Sequence, residues 1–341
     1  MRKRIFFILQ SLVFLGIGIF LVWWSIHKLS AHDYQQFIQS LQNANYYLLI
    51  PVFAILILSH LSRAIRWKIL MQSMNYHPKL GNTFCAVMIG YLANFAFPRL
   101  GEVLKCTVLG KYEKVPPDKL VGTILVERAV DMLSFFIVIL ISLLTQADVV
   151  GAYFKDIFNE YILSTDIKTA VLKVLFILVL ITASLLLLRY LFKKFHHIIF
   201  VQKIKGIFKG IIAGLLSVRN LKNKWLFIFH SILIWSCYAG GTYLGFYAIA
   251  ETSHLPVLAV FPVLVFATVA MMITPGGIGL YHVLVMEAMT LYSIPDSFGT
   301  ANGWLQWSAQ FLLILLTGLI CLLVLPYLNK SKNEIGQQYT Q

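Results

Sequence analysis

Long runs of apolar residues alternate along the chain with short polar segments, and this pattern predicts an α-helical membrane protein. Ile5–Trp24 has about the 20 apolar residues that span a bilayer, and three basic residues precede it. A signal peptide has a similar layout, but no clear small-residue cleavage site follows, and Trp23 and Trp24 are typical of a membrane interface. We therefore expect a first transmembrane helix with its N-terminus inside.

Five further runs are long enough to cross. They are Tyr46–Leu61, 121–144, Val171–Leu188, Trp225–Ala250 and Gly303–Leu325. Residues 27–45 are expected to form an outer loop or an amphipathic surface helix. Residues 189–224 carry nine Lys and Arg and no acid, which marks them as cytoplasmic. Within them, an amphipathic segment at about 196–220 is expected to lie on the inner leaflet.

Two hydrophobic runs are interrupted by Pro and Gly, one in each half of the chain. Each interruption breaks a helix, and such paired breaks are the best sequence indication of a transporter's binding site. The first broken unit, about 81–110, has basic flanks at both ends; the second, about 255–292, has none. The two units are thus expected to enter from opposite faces. Hydropathy does not decide whether their arms fully cross. The helix-break residues are Asn94, Pro98, Gly101, Pro275, Gly276, Gly277 and Gly279.

The predicted fold is therefore all-α: a polytopic membrane protein with about six full transmembrane helices plus two broken or re-entrant hairpins entering from opposite faces. A single transmembrane domain is expected over residues 1–341. The expected location is a bacterial-type inner (plasma) membrane, with both termini cytoplasmic.

Composition supports a membrane protein and narrows its partners. The chain is 59% hydrophobic and 12% charged, with a mean hydropathy of +0.79, whereas soluble domains carry about 25% charged residues. The net charge of +14 sits between hydrophobic runs, so we expect contact with anionic inner-leaflet lipid and not with nucleic acid.

Four cysteines lack metal-ligand spacing and are expected to be free buried thiols. No metal or cofactor is expected, and the oligomeric state, for which a homodimer is one candidate, is not fixed.

Several charged residues fall at membrane depth, where each costs roughly 2.5–3.5 kcal/mol. They are Arg99, Glu102, Arg128, Asp131, His282 and Glu287, with Glu127 and Lys105 nearer the inner face. One interpretation places them around a water-filled functional cavity. The other makes Arg99–Glu102 and Arg128–Asp131 structural ion pairs.

Other polar residues also allow two interpretations. Arg63 and Arg66 either grip a lipid phosphate or form an ordinary basic flank. Glu127 and Asp131 share a helix face and serve acid/base chemistry or proton binding, or simply oppose the arginines. The glycines after Pro275 either present backbone N–H groups to an anionic headgroup or form a tight turn. His282 either titrates near neutral pH or is merely hydrogen-bonded.

These short motifs together resemble the membrane region of the lysylphosphatidylglycerol synthase/flippase family, over about Ile5–Leu325. They are Arg63-Ala-Ile-Arg66-Trp67, Asn94-x-x-x-Pro98-Arg99-x-Gly101-Glu102, Val126-Glu127-Arg128-x-x-Asp131 and Pro275-Gly-Gly-Ile-Gly279. The resemblance implies a flippase-like fold that moves lipid or lipid-linked sugar between leaflets. The soluble aminoacyl-transfer domain of bifunctional members does not follow Pro326, so synthase activity is not supported. Many members have Glu where His282 stands.

The preferred hypothesis is a lipid translocase that is not an enzyme. Arg63, Arg66, Arg99 and Arg128 would hold phosphate, while Glu102, Glu127, Asp131, Glu287 and His282 would balance charge or take a proton. Arg99→Ala is then expected to abolish transport in folded protein. The alternatives are a transporter of a small soluble anion, an intramembrane enzyme acting on a lipid-linked substrate, and a scaffold for cell-envelope assembly.

Overall fold

The fold is seen in a computed structural model. The structure describes residues 18–96, 100–149 and 221–330, together with residues 16, 151 and 169. Pro98, Arg99, most of the first predicted span, the predicted span Val171–Leu188 and the predicted amphipathic segment 196–220 lie outside the described residues.

Helices are the regular elements of the described part of the chain, which contains no strand. They are α1 (Gly18–His27), α2 (Ala31–Gln42), α3 (Leu49–Gln72), α4 (Leu80–Ala96), α5 (Leu100–Glu113), α6 (Pro117–Thr145), α7 (Lys224–Phe246), α8 (Val260–Ile273), α9 (Leu280–Thr290) and α10 (Asp296–Leu328). The prediction of an all-α polytopic membrane fold is confirmed. α2 lies within residues 27–45, where an outer loop or an amphipathic helix is predicted.

Three described helices are long and apolar enough to cross a membrane: Tyr46–Gln72, Lys224–Phe246 and Asp296–Leu328. α6 is also long, with 29 residues, but carries charges in its middle. The helix that contains the second predicted span, Tyr46–Leu61, continues through Arg63 and Arg66 to Gln72. The helix that contains the last predicted span, Gly303–Leu325, begins earlier, at Asp296.

The first broken unit is a hairpin of α4 and α5. Asn82, near the start of α4, donates a hydrogen bond to Glu113 at the end of α5. It also exchanges two side-chain amide hydrogen bonds of 2.9 Å with Asn329, just beyond α10. Both outer ends of this hairpin therefore lie at the end of the molecule where α10 finishes.

The second broken unit, α8 and α9, has its outer ends at the opposite end of the molecule. Tyr292, after α9, donates a 2.8 Å hydrogen bond to Gln146, just after α6. Ser297, at the start of α10, donates one of 2.9 Å to Gln36 of α2. Because α10 has 33 residues, about 50 Å of helix separates the two ends. The hairpins enter from opposite ends, as predicted.

The two broken units meet at their tips. The ring of Phe95, near the end of α4, packs against Gly276, which lies between α8 and α9 with φ = 59°. Trp307 of α10 donates a 2.8 Å hydrogen bond to the Gly276 carbonyl and so fixes the second tip. At the first tip, the Asn94 side chain accepts a 2.8 Å hydrogen bond from the Gly101 backbone, which closes the turn between α4 and α5.

The four cysteines are free and buried, as predicted. Cys85 and Cys321 lie in the apolar contact between α4 and α10, and Cys106 lies in a larger core around Trp67. These cores hold the first hairpin against the long helices α3 and α10.

Candidate functional site

A cluster of charged side chains joins α3, α5 and α6 inside the molecule. α3 supplies Arg63 and Arg66, α6 supplies Glu127 and Asp131, and α5 supplies Lys105. Residues three or four apart share a helix face, so the spacing along α3 and α6 aims two side chains from each helix at one point. This geometry explains how α3 carries two arginines inside the molecule, because each has a carboxylate partner there.

Asp131 bridges the two arginines of α3. One carboxylate oxygen lies 2.6 Å from Arg63 Nη1, and the other lies 2.6 Å from Arg66 Nη2. Arg66 is fully buried and also donates a 3.3 Å hydrogen bond to Ser231 of α7. Charge-assisted contacts of this length are among the strong hydrogen bonds of proteins, so they tie α3 firmly to α6.

Glu127 occupies the centre of the cluster and is fully buried. Its Oε1 lies 2.9 Å from Arg63 Nη1, and its Oε2 lies 2.8 Å from Lys105 Nζ. The Lys105 ammonium also sits over the Trp67 ring, 4.7 Å from its centre. Both carboxylate oxygens of Glu127 are thus occupied by cations, which is how a buried carboxylate is tolerated. Glu127 therefore connects the first broken unit to α3.

Arg128 differs from the other cations of the cluster. Its Nη2 stays 3.7 Å from both Glu127 and Asp131, and 43% of its side chain is exposed. It forms no hydrogen bond with any residue that the structure describes. Arg128 is therefore the guanidinium best placed to accept a ligand.

A cavity of about 310 Å³ opens beside this cluster, between α3, α7, α8 and α10. Beside the charged cluster its wall is polar, with His60, Arg63, Tyr91, Asn94, Arg128, Asp131 and Tyr238. Gln306 and Gln310 of α10 also line the cavity, and Gln306 lies against Gly245 near the end of α7. The rest is mostly apolar. Met272 of α8 also lines the cavity and is 59% exposed, so the cavity reaches the molecular surface beside α8.

One face of α3 runs the length of the cavity. Leu49, Val52 and Leu56 follow each other on this face and lead to His60 and Arg63. From Leu49 to Arg63 the helix rises about 21 Å. The cavity is therefore an apolar passage with a charged, hydrogen-bonding region at one end.

The predicted break residues take different places. Asn94 and Gly276 line the cavity, whereas Gly101 packs against the Gly90 backbone so closely that a Cβ would collide with the Gly90 carbonyl. Gly277 and Gly279 have positive φ and form the second tip with Pro275. Glu102 is half-buried in the first turn of α5 and makes no ion pair with the described residues. The predicted Arg99–Glu102 pair falls partly outside the described residues.

His282 and Glu287, both on α9, lie outside the cavity wall. His282 is 1% exposed and stacks on Trp304, with ring centres 4.1 Å apart and planes within 1° of each other. Glu287 is half-buried and forms no ion pair with a described residue. Their proposed roles in charge balance stay predictions, but the geometry does not bring them to the charged cluster.

Sequence reasoning missed the polar side chains that α10 contributes to the cavity. Gln306 and Gln310 line the wall, and Gln306 donates a hydrogen bond to Asn302, one turn earlier. Three amide side chains at intervals of four in an apolar span were a readable signal of one polar helix face. Tyr91 and Tyr238, in contrast, resemble ordinary membrane aromatics in the sequence.

The described residues contain no group of His, Cys, Asp and Glu side chains arranged to hold a metal ion. Among the described residues, two guanidinium groups, Arg63 and Arg128, and one carboxylate, Asp131, line the polar end of the cavity. The arrangement suits an anionic group.

Comparison with known proteins gives the family. The family model described as "Lysylphosphatidylglycerol synthase TM region" matches residues 8–318. UPF0104 membrane protein MJ1595 of Methanocaldococcus jannaschii is 22% identical over 320 residues, which are 87% of this chain and 90% of that protein. No solved structure matches the chain. The match extends over most of the chain and includes every motif that forms the charged cluster, and the protein therefore belongs to the lysylphosphatidylglycerol synthase TM region family of integral membrane proteins.

Proposed function

We propose that this protein is a translocase that moves an anionic lipid between the two leaflets of a bacterial-type inner membrane. The observation that carries the proposal is the shape and chemistry of the cavity: an apolar passage about 21 Å long that ends at Arg63, Asp131 and the half-exposed Arg128. This division matches an amphiphile, whose headgroup needs polar contacts and whose tails do not.

A headgroup phosphate crosses hydrocarbon unaided only at a high free-energy cost, because it loses its water. Arg128 offers it a guanidinium that forms no hydrogen bond with a described residue, and Tyr91 and Tyr238 supply hydroxyl groups on the same wall. Together they replace part of the lost hydration. Arg63 and Arg66 carry a supporting role in this proposal, because Asp131 already occupies both of them.

The cavity volume of about 310 Å³ accommodates a headgroup but not a whole phospholipid. The tails would therefore stay in the bilayer and pass the exposed side of the cavity near Met272. A transporter of a soluble anion needs no apolar passage, and this difference favours the lipid. We further propose that transport involves no covalent change and that both termini are cytoplasmic.

The tips of the two hairpins bound the polar region in this proposal. Phe95 and Gly276 both line the cavity and touch each other. Entry from one leaflet and exit to the other would then require one hairpin to move relative to its neighbour, as in transporters built around paired broken helices.

Leaflet exchange in liposomes tests the proposal. Purified full-length protein is reconstituted with tail-labelled phosphatidylglycerol, and the label in the outer leaflet is quenched chemically over time. Wild type is expected to expose label from the inner leaflet, and Arg128→Gln is expected to lose most of that exchange. Lys111→Gln is the matched control, because it removes a positive charge from an exposed site outside the cavity. Equal exchange by wild type and Arg128→Gln would overturn the role of Arg128.

Polyprenyl phosphate serves as a second labelled lipid in the same vesicles. Movement of neither lipid by folded wild-type protein would overturn the translocase proposal. In that case, a covalently changed lipid detected by mass spectrometry of the extract would support the alternative of an intramembrane enzyme.

A further inference from the structure

We propose that the cavity takes the doubly charged headgroup of a phosphate monoester in preference to the singly charged headgroup of a phosphodiester. The inference rests on the proposed function and names its substrate class. It starts from the balance of charges around the cavity.

The cluster contains two more cations than anions among the described residues. The cations are Arg63, Arg66, Arg128 and Lys105, and the carboxylates within 4 Å of them are Glu127 and Asp131. Lys105 counts as charged because its ammonium lies 2.8 Å from a Glu127 oxygen, which favours the charged form.

Hydrogen-bonding groups give the same imbalance independently. The Nε–H groups of Arg63 and Arg128, the two arginines that line the cavity, are buried and have no acceptor among the described residues. Each of these arginines is within reach of the same two carboxylates, whose oxygens already accept shorter bonds from Nη groups and from Lys105. The site is therefore short of acceptor oxygens as well as of negative charge.

A phosphate monoester supplies both deficits. It carries about −1.5 to −2 charges at pH 7 and three acceptor oxygens, whereas a phosphodiester carries a single charge. Uncompensated buried charge costs several kcal/mol, so the ligand that cancels the surplus is the one the site favours. A headgroup with a net positive charge would add to the surplus and is expected to bind worst.

Arg128 is the member of the cluster that makes this preference testable. Removing its charge leaves a surplus of one, which a phosphodiester alone cancels. The other cations hold Glu127 or Asp131 at hydrogen-bond distance, whereas Arg128 stays 3.7 Å from both. Its substitution therefore changes the charge balance with the least damage to the fold.

The experiment compares two labelled lipids with identical tails, phosphatidic acid as the monoester and phosphatidylglycerol as the diester, in liposomes that contain the full chain. Wild type is expected to exchange phosphatidic acid about tenfold faster, which corresponds to 1.4 kcal/mol. Arg128→Gln is expected to slow both lipids, and phosphatidic acid by the larger factor, so that the ratio of the two remaining rates falls towards one. Arg128→Lys, which keeps the charge, is expected to retain a higher ratio than Arg128→Gln.

A change of pH tests the same preference in the wild-type protein. The second pKa of a phosphate monoester is near 6, so lowering the pH from 7.5 to 5 removes its second charge and is expected to bring the two exchange rates together. The phosphodiester keeps its charge and reports any titration of the protein itself. The charged and titratable groups around the site are His60, Arg63, Arg66, Tyr91, Lys105, Glu127, Arg128, Asp131, His230 and Tyr238.

The outcomes separate the two proposals. Equal exchange of both lipids at pH 7.5, still dependent on Arg128, would overturn the monoester preference and leave the translocase standing. A ratio that does not fall at pH 5 would also overturn the preference. Uptake of radioactive inorganic phosphate into the same vesicles, without movement of either lipid, would keep the preference for a phosphate dianion but overturn the lipid translocase.

Discussion

Gly276 lies directly against the ring of Phe95, so the tips of the two broken units are in contact. Gly276 has φ = 59°, and a Cβ built on it would collide with Cδ1 and Cε1 of the Phe95 ring. The position therefore requires glycine for two separate reasons, its backbone conformation and the space beside it. This contact is the point at which the two hairpins depend on each other.

Gly276→Ala is expected to lower the stability of the protein and its leaflet exchange. The left-handed backbone alone costs an L-residue roughly 1–2 kcal/mol, and the Phe95 ring must also move away. Thermal unfolding in detergent measures the loss. Adding Phe95→Ala removes the collision and is expected to restore part of the stability. Gly122→Ala is the control, since nothing lies within 4 Å of its added methyl group. Unchanged unfolding of Gly276→Ala would contradict the tip contact.

Glu127→Gln is expected to destabilise the fold strongly. The substitution leaves Arg63 and Lys105 buried with less compensating charge, and breaking a buried pair in this way costs about 3–5 kcal/mol. Unfolding by heat or denaturant measures the effect. Glu287→Gln is the matched control, because Glu287 is half-buried without an ion pair among the described residues, and its loss is expected to be small.

The double variant Glu127→Gln/Lys105→Met tests the mechanism of that loss. It removes one charge of each sign and is expected to be more stable than the sum of the single changes predicts, since neighbouring partners are not additive. Strict additivity of the two changes would show that Lys105 and Glu127 do not act as a pair.

A pair of buried amides offers a similar test at the open end of the first hairpin. Asn82 and Asn329 are each 3% exposed and exchange two hydrogen bonds of 2.9 Å. Asn82→Leu is expected to cost about 1–3 kcal/mol, because it leaves the Asn329 amide without this partner. In thermal unfolding, Asn82→Leu/Asn329→Leu is expected to recover part of the loss. If the double variant loses as much stability as Asn82→Leu and Asn329→Leu lose together, the two amides do not act as a pair.

The breaks and their opposed entry were predictable because Pro and Gly act locally on the backbone. Pro275, Gly276 and Gly277 interrupt an apolar run whatever surrounds them. Basic residues flank the first broken unit and not the second, and this difference predicted that the two hairpins enter from opposite faces. These signals need no knowledge of tertiary contacts, and the structure agrees with them.

The role of Arg63 and Arg66 was only partly predictable from sequence, because it depends on partners that are distant in the chain. Hydropathy placed the end of the second span before them, because two arginines look like a cytoplasmic flank. Their charges are instead compensated inside the molecule by Glu127 and Asp131, which lie more than 60 residues later in the chain. A window along the sequence records the cost of a charge but not the distant partner that offsets it.

The last prediction concerns the apolar passage. It tests the path of the lipid without changing a charged residue. Thr268 of α8 lines the cavity and is half-buried, so Thr268→Trp is expected to fill the passage and reduce leaflet exchange severalfold while the protein still unfolds near the wild-type temperature. Ile320→Trp is the control, since Ile320 of α10 is 57% exposed and lies outside the cavity wall. A bulky indole on that outer face has no passage to block, and exchange is expected to continue. Full exchange by Thr268→Trp would place the lipid's path elsewhere and detach transport from this cavity.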